Sequence, residues 1–186
     1  MIKYLLLTAC TVLALFTFGI TGNAALTDWK TFATDTVHIG KQVWMKHNLS
    51  VPMPNSYWYE RDSLNNKKYG QLYFSSNALA ACPQGWHLPS DEEWQQMINY
   101  LGGDSLALIK LLPGGSTGMN LQFGGYRSAN SPNDLFGKKE DTGFYWTSTV
   151  KEEQVAYART IKKDSYLMEG IAYKRANAFS VRYIKD

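Results

Sequence analysis

The chain has 186 residues and a formal net charge of +3 at pH 7, with its Lys and Arg residues scattered along the sequence. A weak, dispersed positive charge lacks the basic stripe of a nucleic-acid-binding domain, so we expect no nucleic-acid partner. Of the two cysteines, only Cys82 lies outside the N-terminal segment, so the fold must be stable without an internal disulfide.

The first 25 residues differ in composition from the rest. Lys3 precedes an apolar run over residues 4–20, and small residues follow up to Ala24 and Ala25. This is the pattern of a secretory signal peptide, and we predict cleavage after one of the two alanines. Residues 26–186 then form a single domain. We expect it in the periplasm, on the outer membrane surface or in the medium.

Two alternatives for this segment stay open. The apolar run approaches the roughly 18 residues of a membrane span, so a retained helix is one alternative. The stretch "LLTAC" has the residue order that precedes a lipid-accepting cysteine, which makes Cys10 a candidate lipidation site, although few apolar residues come before it. In each case the membrane is reached only through this segment.

The first predicted element after it is a β-hairpin in "TVHIGKQVWMKHNL". Apolar and polar residues alternate over 37–39 and 42–45, and Gly40 stands where a type II′ turn favours glycine. The next stretch, "SVPMPNSYWYERDSLNNKKYG", is rich in proline, asparagine and charge and predicts a surface loop. "SSNALAAC" predicts a short helix that stops before Pro83.

The stretch "CPQGWHLPSDEEW" predicts the start of a second helix. With Ser90 as the N-cap, Glu93 falls at the third helical position and completes a reciprocal capping box. Asp91 and Glu92 lie in the first turn, where the helix dipole favours negative charge. These acids therefore have a structural role, and we expect the helix to end at Gly102.

Strands dominate the remainder of the chain. "DSLALIKLL" predicts a third helix, and after it "LQFGGYRS", "GFYWTST", "QVAYARTI", "SYLMEGIAY" and "AFSVRYI" predict strands. In the last stretch Phe179, Val181 and Tyr183 share one face, and Ser180 and Arg182 share the other. Helices early and strands late predict an α+β fold with a mainly antiparallel sheet, two or three short helices and long loops.

Several separated motifs carry a family resemblance: "CPQGWHLPSDEEW", "YGQLY", "GGYR", "YWTST" and "FSVRYIKD". From "VHIGKQVWMKHNL" to the C-terminus, the chain resembles the Fibrobacter succinogenes major paralogous domain, which occurs in exported bacterial proteins and implies no common reaction. "LPSDEEW" and "FSVR" are also similar to the formylglycine-generating, sulfatase-modifying group. That second resemblance implies a C-type-lectin-like fold with paired N- and C-terminal strands.

The chain departs from these groups in its cysteines. Family members usually have a cysteine at the position of Tyr183, and the resemblance implies that it can pair with the one at Cys82. Many also carry a cysteine pair near Trp58 and residues 65–67, which is missing here. The formylglycine-generating enzymes need late cysteines for their oxidative chemistry. Because no cysteine follows Cys82, that activity is not carried over.

No catalytic residue is assigned. Cys82 and His87 are close in sequence, yet nucleophilic catalysis needs a spatial arrangement and a third group that orients the base. We interpret Cys82 as a small buried residue. The spacing of the histidines does not match that of a zinc site.

The best ligand-binding candidates are rings and basic groups in the predicted loops and strand ends. Such rings can stack on a sugar face or anchor a protein contact, and the alternative is that they cover the core. The candidates are Tyr57, Trp58, Tyr59, Arg61, Tyr126 and Arg127, with Tyr145 and Trp146 as secondary ones.

Calcium is the one cofactor that the sequence suggests, because lectin-like folds often bind it through oxygen ligands. In the loop "NSPNDLFGKKED" the candidate ligands are Asn133, Asp134 and Asp141. The loop lacks the leading Glu of the sugar-binding lectin motif, and a turn rich in Asn, Asp and Gly needs no ion.

We predict a non-enzymatic recognition or adhesion module of the bacterial envelope, with a glycan or an envelope protein as its ligand. Polar aromatic loops on a rigid base suit that role. An enzyme is the alternative, either a redox modifier or a polysaccharide hydrolase. A hydrolase needs two carboxyl groups about 5 to 9.5 Å apart, and the acids without a structural role are Glu60, Asp62, Asp134 and Asp141. A purely structural envelope component is a third alternative.

Overall fold

The computed structural model describes residues 34–128, 135–165 and 167–186. The strands are β1 (Thr36–Ile39), β2 (Gln42–Met45), β3 (Ser56–Tyr57), β4 (Leu72–Phe74), β5 (Trp86–His87), β6 (Gly124–Arg127), β7 (Phe136–Lys139), β8 (Thr142–Glu152), β9 (Val155–Lys162), β10 (Met168–Lys174), β11 (Ala178–Phe179) and β12 (Ile184–Lys185). The α-helices are α1 (Ser63–Tyr69), α2 (Ser75–Ala80), α3 (Asp91–Leu101) and α4 (Asp104–Leu111), and a short 3-10 turn spans Tyr59–Arg61. The predicted signal peptide lies outside the described residues, and so do Cys10, Asn133 and Asp134.

The strands form two sheets. The smaller has the order β1-β2-β12-β5, and the larger has the order β10-β9-β8-β6-β11-β4-β3, with β7 paired to β6. Neighbouring strands are antiparallel except for β6 and β8, which are parallel. The predicted α+β class with a mainly antiparallel sheet is therefore confirmed.

The N-terminal hairpin and the C-terminal strand pair in the smaller sheet. Ile39 pairs with Gln42 across the predicted turn, where Gly40 has a φ of +61° that glycine adopts without strain. Ile184 of β12 pairs with Trp44 of β2 on one side and with β5 on the other. The end of the chain is thus held between its first strands and the segment that leads into α3.

The described residues contain four α-helices, one more than the largest predicted number. The missed helix is α1, which lies in the segment predicted as a loop. Asp62 caps it by accepting a hydrogen bond from the Leu64 backbone N–H at 2.9 Å. Only Tyr69 of this helix is buried, so its sequence carries no apolar stripe that indicates a helix. In the described ranges no helix is long and apolar enough to cross a membrane.

Strand β8 separates the core into two main parts, because adjacent residues of a strand point to opposite faces. Tyr145 belongs to the first part, where Trp94 lies between it and Trp44, with ring centroids 5.8 and 4.7 Å apart. Trp146 belongs to the second part, where its ring centroid is 4.4 Å from that of Phe179. Both secondary candidates, Tyr145 and Trp146, are therefore completely buried.

Candidate functional site

The corner that precedes α3 is built as a helix cap. The Ser90 hydroxyl accepts a hydrogen bond from the Glu93 backbone N–H at 3.1 Å, and Glu93 Oε2 accepts one from the Ser90 backbone N–H at 2.7 Å. The helix ends at Gly102, whose φ is +104°. The predicted capping box and helix end are both confirmed.

His87 connects this cap to the C-terminus. Its Nε2 lies 2.8 Å from Glu93 Oε1, and its Nδ1 lies 2.7 Å from Asp186 Oδ1. Partial burial lowers the pKa of His87, but the two carboxylates together raise it above its ordinary value. Burial also raises the pKa of Glu93, while hydrogen bonds from Ser90 and His87 lower it overall. Opposite charges at this corner therefore stabilise each other.

Cys82 is not arranged as a nucleophile. Its Sγ lies 3.0 Å from the Trp86 carbonyl oxygen, to which the thiol donates, and the side chain packs against the part of the core that contains Tyr183. Burial and the charge of Asp186 raise the pKa of the thiol to about 11. The thiol is thus protonated at neutral pH, whereas nucleophilic cysteines are partly thiolate.

A cleft of about 360 Å³ opens where β6, β8, β10 and β11 come together. Each strand contributes one ring to its lining: Tyr126, Phe144, Tyr173 and Phe179. We call this the aromatic cleft. Its volume lies within the roughly 300 to 1,000 Å³ of small-molecule sites in proteins.

The rings of the aromatic cleft pack on one another. Phe144 and Phe179 are stacked, with centroids 5.0 Å apart and planes at 20°, and both are almost fully buried. Tyr126 and Tyr173 meet Phe144 edge-on at 5.5 and 5.7 Å, and both are half-buried. Because these contacts fix the ring planes, the two tyrosines form rigid, partly exposed walls over a phenylalanine floor.

Polar groups surround these rings. The lining also includes Ser128, Lys138, Thr142 and Asn177. The Thr142 hydroxyl donates to Asp141 Oδ2 at 2.9 Å, and Lys138 Nζ lies 3.3 Å from the same carboxylate oxygen. The Asp141 pKa is lowered, first by the Thr142 hydrogen bond and then by Lys138. The cleft therefore combines aromatic surfaces with hydroxyl, amide and ammonium groups.

The predicted ligand-binding residues are divided between this cleft and its surroundings. Tyr126 lines the aromatic cleft, whereas Arg127 lines a neighbouring cavity of about 470 Å³ together with Arg175. The guanidinium of Arg127 lies 4.2 Å from the centroid of the Tyr57 ring, and that ring meets Phe74 edge-on at 5.8 Å. Tyr57 and Arg127 thus form one stacked unit beside the second cavity.

The other members of the predicted triplet, Trp58 and Tyr59, line neither of these two cavities. Tyr59 is 5% exposed and packs against Phe136 with centroids 5.3 Å apart, so it belongs to a small core cluster. Trp58 is half-buried, and Arg61 is exposed beside it. The structure therefore does not gather Tyr57, Trp58, Tyr59 and Arg61 into one surface with Tyr126.

The acids proposed for hydrolysis do not meet in a pocket within the described part of the chain. Glu60 lies 3.6 Å from Lys139 Nζ, Asp62 caps α1, and Asp141 pairs with Lys138. Among the described residues, no group of three or more His, Cys, Asp or Glu side chains is placed to hold a metal ion. Asp141 is the one described member of the calcium set, so that set stays a prediction.

Sequence reasoning missed three of the four rings of the aromatic cleft. Phe144 directly precedes the secondary candidates Tyr145 and Trp146, and Phe179 was assigned only to a strand face. Tyr173 lies in the predicted strand "SYLMEGIAY". The sequence does show that the late strands are rich in aromatic residues. Which of these rings converge on one cleft depends on the order of the strands in the sheet.

Comparison with known proteins identifies the family of this chain. A sequence model of the Fibrobacter succinogenes major domain matches residues 37–185, which include both the capped corner and the aromatic cleft. No curated protein and no solved structure shows significant similarity to the chain. The chain therefore belongs to the Fibrobacter succinogenes major domain family.

Proposed function

We propose that this domain is a non-catalytic recognition module of the bacterial envelope and that it binds a glycan through the aromatic cleft. The convergence of four rings from four strands, with polar groups around them, is the observation that carries this function. A sugar ring has apolar faces that stack on aromatic rings and hydroxyls that need hydrogen-bond partners, and the cleft offers both.

The packing of the cleft favours binding. Tyr126 and Tyr173 are held by edge-on contacts with Phe144, so few rotamers are lost when a ligand arrives. Lys138 and Asn177 supply donors at the rim, where they can orient a sugar without being buried. A rigid aromatic platform with a polar edge suits recognition, and it requires no reacting group.

We also propose export, with removal of residues 1–25, and a C-type-lectin-like arrangement of the domain. Pairing of β12 with β2 supports that arrangement, because it joins the ends of the domain at its base.

A glycan array probed with the mature chain tests this function, followed by calorimetry with the best hit. We expect Tyr173→Ala and Tyr126→Ala to weaken binding about tenfold or more. The matched control is Tyr100→Ala, because Tyr100 is 68% exposed on α3 and does not line the cleft. Circular dichroism and thermal melting show whether each variant is folded.

Three results decide between the candidate functions. Equal losses in the cleft variants and in Tyr100→Ala, or an array without hits, contradict glycan recognition through this cleft. Release of shortened glycan supports the hydrolase alternative instead. A chelator arm tests the calcium prediction: loss of binding without calcium that is also produced by Asp141→Asn would support an ion held by Asn133, Asp134 and Asp141.

A further inference from the structure

A third cavity, separate from the aromatic cleft and from the cavity lined by Arg127, contains a buried cation. Arg182 is 1% exposed and lies between β11 and β12. Its Nε donates to Asn48 Oδ1 at 2.6 Å, and its Nη1 donates to the carbonyls of Met45 and Met119 at 2.9 and 3.0 Å. Its Nη2 donates to the Asn120 carbonyl at 3.2 Å. All of these acceptors are neutral.

The charge of Arg182 has no ionic partner in the described part of the chain. Buried charges are normally paired with an opposite charge, because neutral acceptors only partly replace their hydration. Burial lowers the pKa of this guanidinium to about 10, so it is still protonated at neutral pH. The structure therefore holds an uncompensated positive charge below the surface.

That charge faces a cavity of about 430 Å³, which we call the Arg182 cavity. Three further basic residues line it, His47, Lys67 and Lys68, and no described carboxylate does. His47 pairs with Asp35 and Lys68 with Glu140, whereas Lys67 is exposed and has no ion pair with a described residue. The cavity is thus positively charged at its base and at its rim.

Asn66 indicates a second property of a ligand that fits this cavity, besides a negative charge. It lines the Arg182 cavity, and its Oδ1 is buried without a hydrogen-bond donor from the described residues. A buried acceptor without a donor is unfavourable, so a ligand that fits here supplies a donor as well as a negative charge. A carboxylate has no donor at neutral pH, whereas a sugar hydroxyl has one.

We propose that the Arg182 cavity binds an acidic sugar, with its carboxylate facing Lys67 and Arg182 and one of its hydroxyls donating to Asn66. The volume admits one sugar ring, and the remaining lining is made of amides, a serine and a glycine, which suit hydroxyls. This site does not depend on the aromatic cleft, since the two cavities have no lining residue in common.

The test is an NMR titration of the ¹⁵N-labelled mature chain with glucuronate, glucose and acetate in parallel. We expect saturable shifts of the Gly70 and Gln122 amides with glucuronate, and a much weaker response to glucose and to acetate. Raising the salt concentration is expected to weaken glucuronate binding, because the rim charge is exposed.

Variants separate the charge from the fold. Lys67→Glu reverses an exposed charge and should weaken glucuronate binding about tenfold. Lys151→Glu makes the same change at an exposed position that does not line the cavity, and should leave binding unchanged. Asn66→Ala removes the buried acceptor within α1 and should weaken glucuronate binding but not acetate binding. Arg182→Met also removes four hydrogen bonds and can unfold the domain, so the other variants carry the test.

Each outcome bears on the acidic-sugar site. Saturable glucuronate binding that is lost in Lys67→Glu and kept in Lys151→Glu supports it. Absence of saturable shifts, equal effects of the two lysine variants, or glucose bound as tightly as glucuronate overturns it. Glucuronate shifts that persist in Tyr173→Ala support a site separate from the aromatic cleft, and their loss in that variant overturns the separation.

Discussion

Replacement of Ser90 by alanine tests whether the corner before α3 is structural. The change removes the acceptor of the Glu93 backbone N–H and the hydroxyl that lies 2.9 Å from Glu93 Oε2. Loss of a serine N-cap lowers the free energy of unfolding by about 1 kcal/mol, within a range of about 0.5 to 2 kcal/mol. For a domain of this size we expect the melting temperature to fall by about 2 to 4 °C.

Two further variants separate the parts of the cap. Ser90→Gly should cost only a few tenths of a kcal/mol, because glycine leaves the first N–H groups open to water. Glu93→Gln keeps an oxygen for the Ser90 backbone N–H but removes the negative charge next to His87 and the helix dipole. We expect it to lower the free energy of unfolding by about 0.3 to 1 kcal/mol.

Urea unfolding followed by tryptophan fluorescence measures these differences at pH 7. Glycan binding by Ser90→Ala is measured alongside, and we expect it to equal that of the wild type. A free energy of unfolding unchanged within about 0.5 kcal/mol would contradict the capping role. A specific loss of binding or turnover in a fully folded variant would show that Ser90 has a role other than capping.

Three other perturbations follow from the structure. The raised pKa of His87 means that its contribution to stability is complete below the unfolded pKa of about 6.5 and is lost as pH rises through the folded value. Urea unfolding between about pH 6 and 8, below the range in which an unfolded cysteine thiol ionises, should show this slope in the wild type and not in His87→Gln. Tyr183→Cys places a thiol where Tyr183 now packs near Cys82. A disulfide between the two would close a loop of roughly 100 residues, so oxidation should stabilise this variant by about 4 to 5 kcal/mol relative to its reduced form. Equal melting temperatures with and without reductant would contradict this pairing. A Cβ on Gly125, whose φ is +69°, would collide with the Gly137 carbonyl oxygen, so Gly125→Ala should lower the free energy of unfolding by about 2 to 3 kcal/mol in a denaturation assay.

The features predicted correctly from the sequence are those that neighbouring residues determine. The capping box needs only Ser90 and Glu93 at the right spacing, and the first hairpin needs only Gly40 between two alternating segments. The alternation of the last segment also holds. Phe179, Val181 and Tyr183 belong to one part of the core, whereas Ser180 and Arg182 both hydrogen-bond to Asn48.

The features that the sequence did not predict depend on distant partners. Helix α1 is held by its cap at Asp62 and by burial of Tyr69, while Leu64 is 81% exposed, so its local pattern resembles a loop. The aromatic cleft requires that β11 lies beside β6 and that β8 lies on the other side of β6. No local pattern determines that order, so Phe144 and Tyr173 could not be distinguished from other strand aromatics.

The C-terminal segment that contains Phe179 and Arg182 also determines how the two proposed sites, the aromatic cleft and the Arg182 cavity, are placed relative to each other. Phe179 lies in the aromatic cleft and Arg182 in the Arg182 cavity, and because they are an odd number of residues apart along an extended chain, their side chains point to opposite faces. The two cavities have no lining residue in common, and changes at separate sites with no shared partner usually behave additively. A Tyr173→Ala, Lys67→Glu double variant should therefore lose glycan binding and glucuronate binding by the same factors as the two single variants. A ligand affected by both changes would instead have to reach both faces of this buried segment, and the two cavities would then belong to a single binding surface.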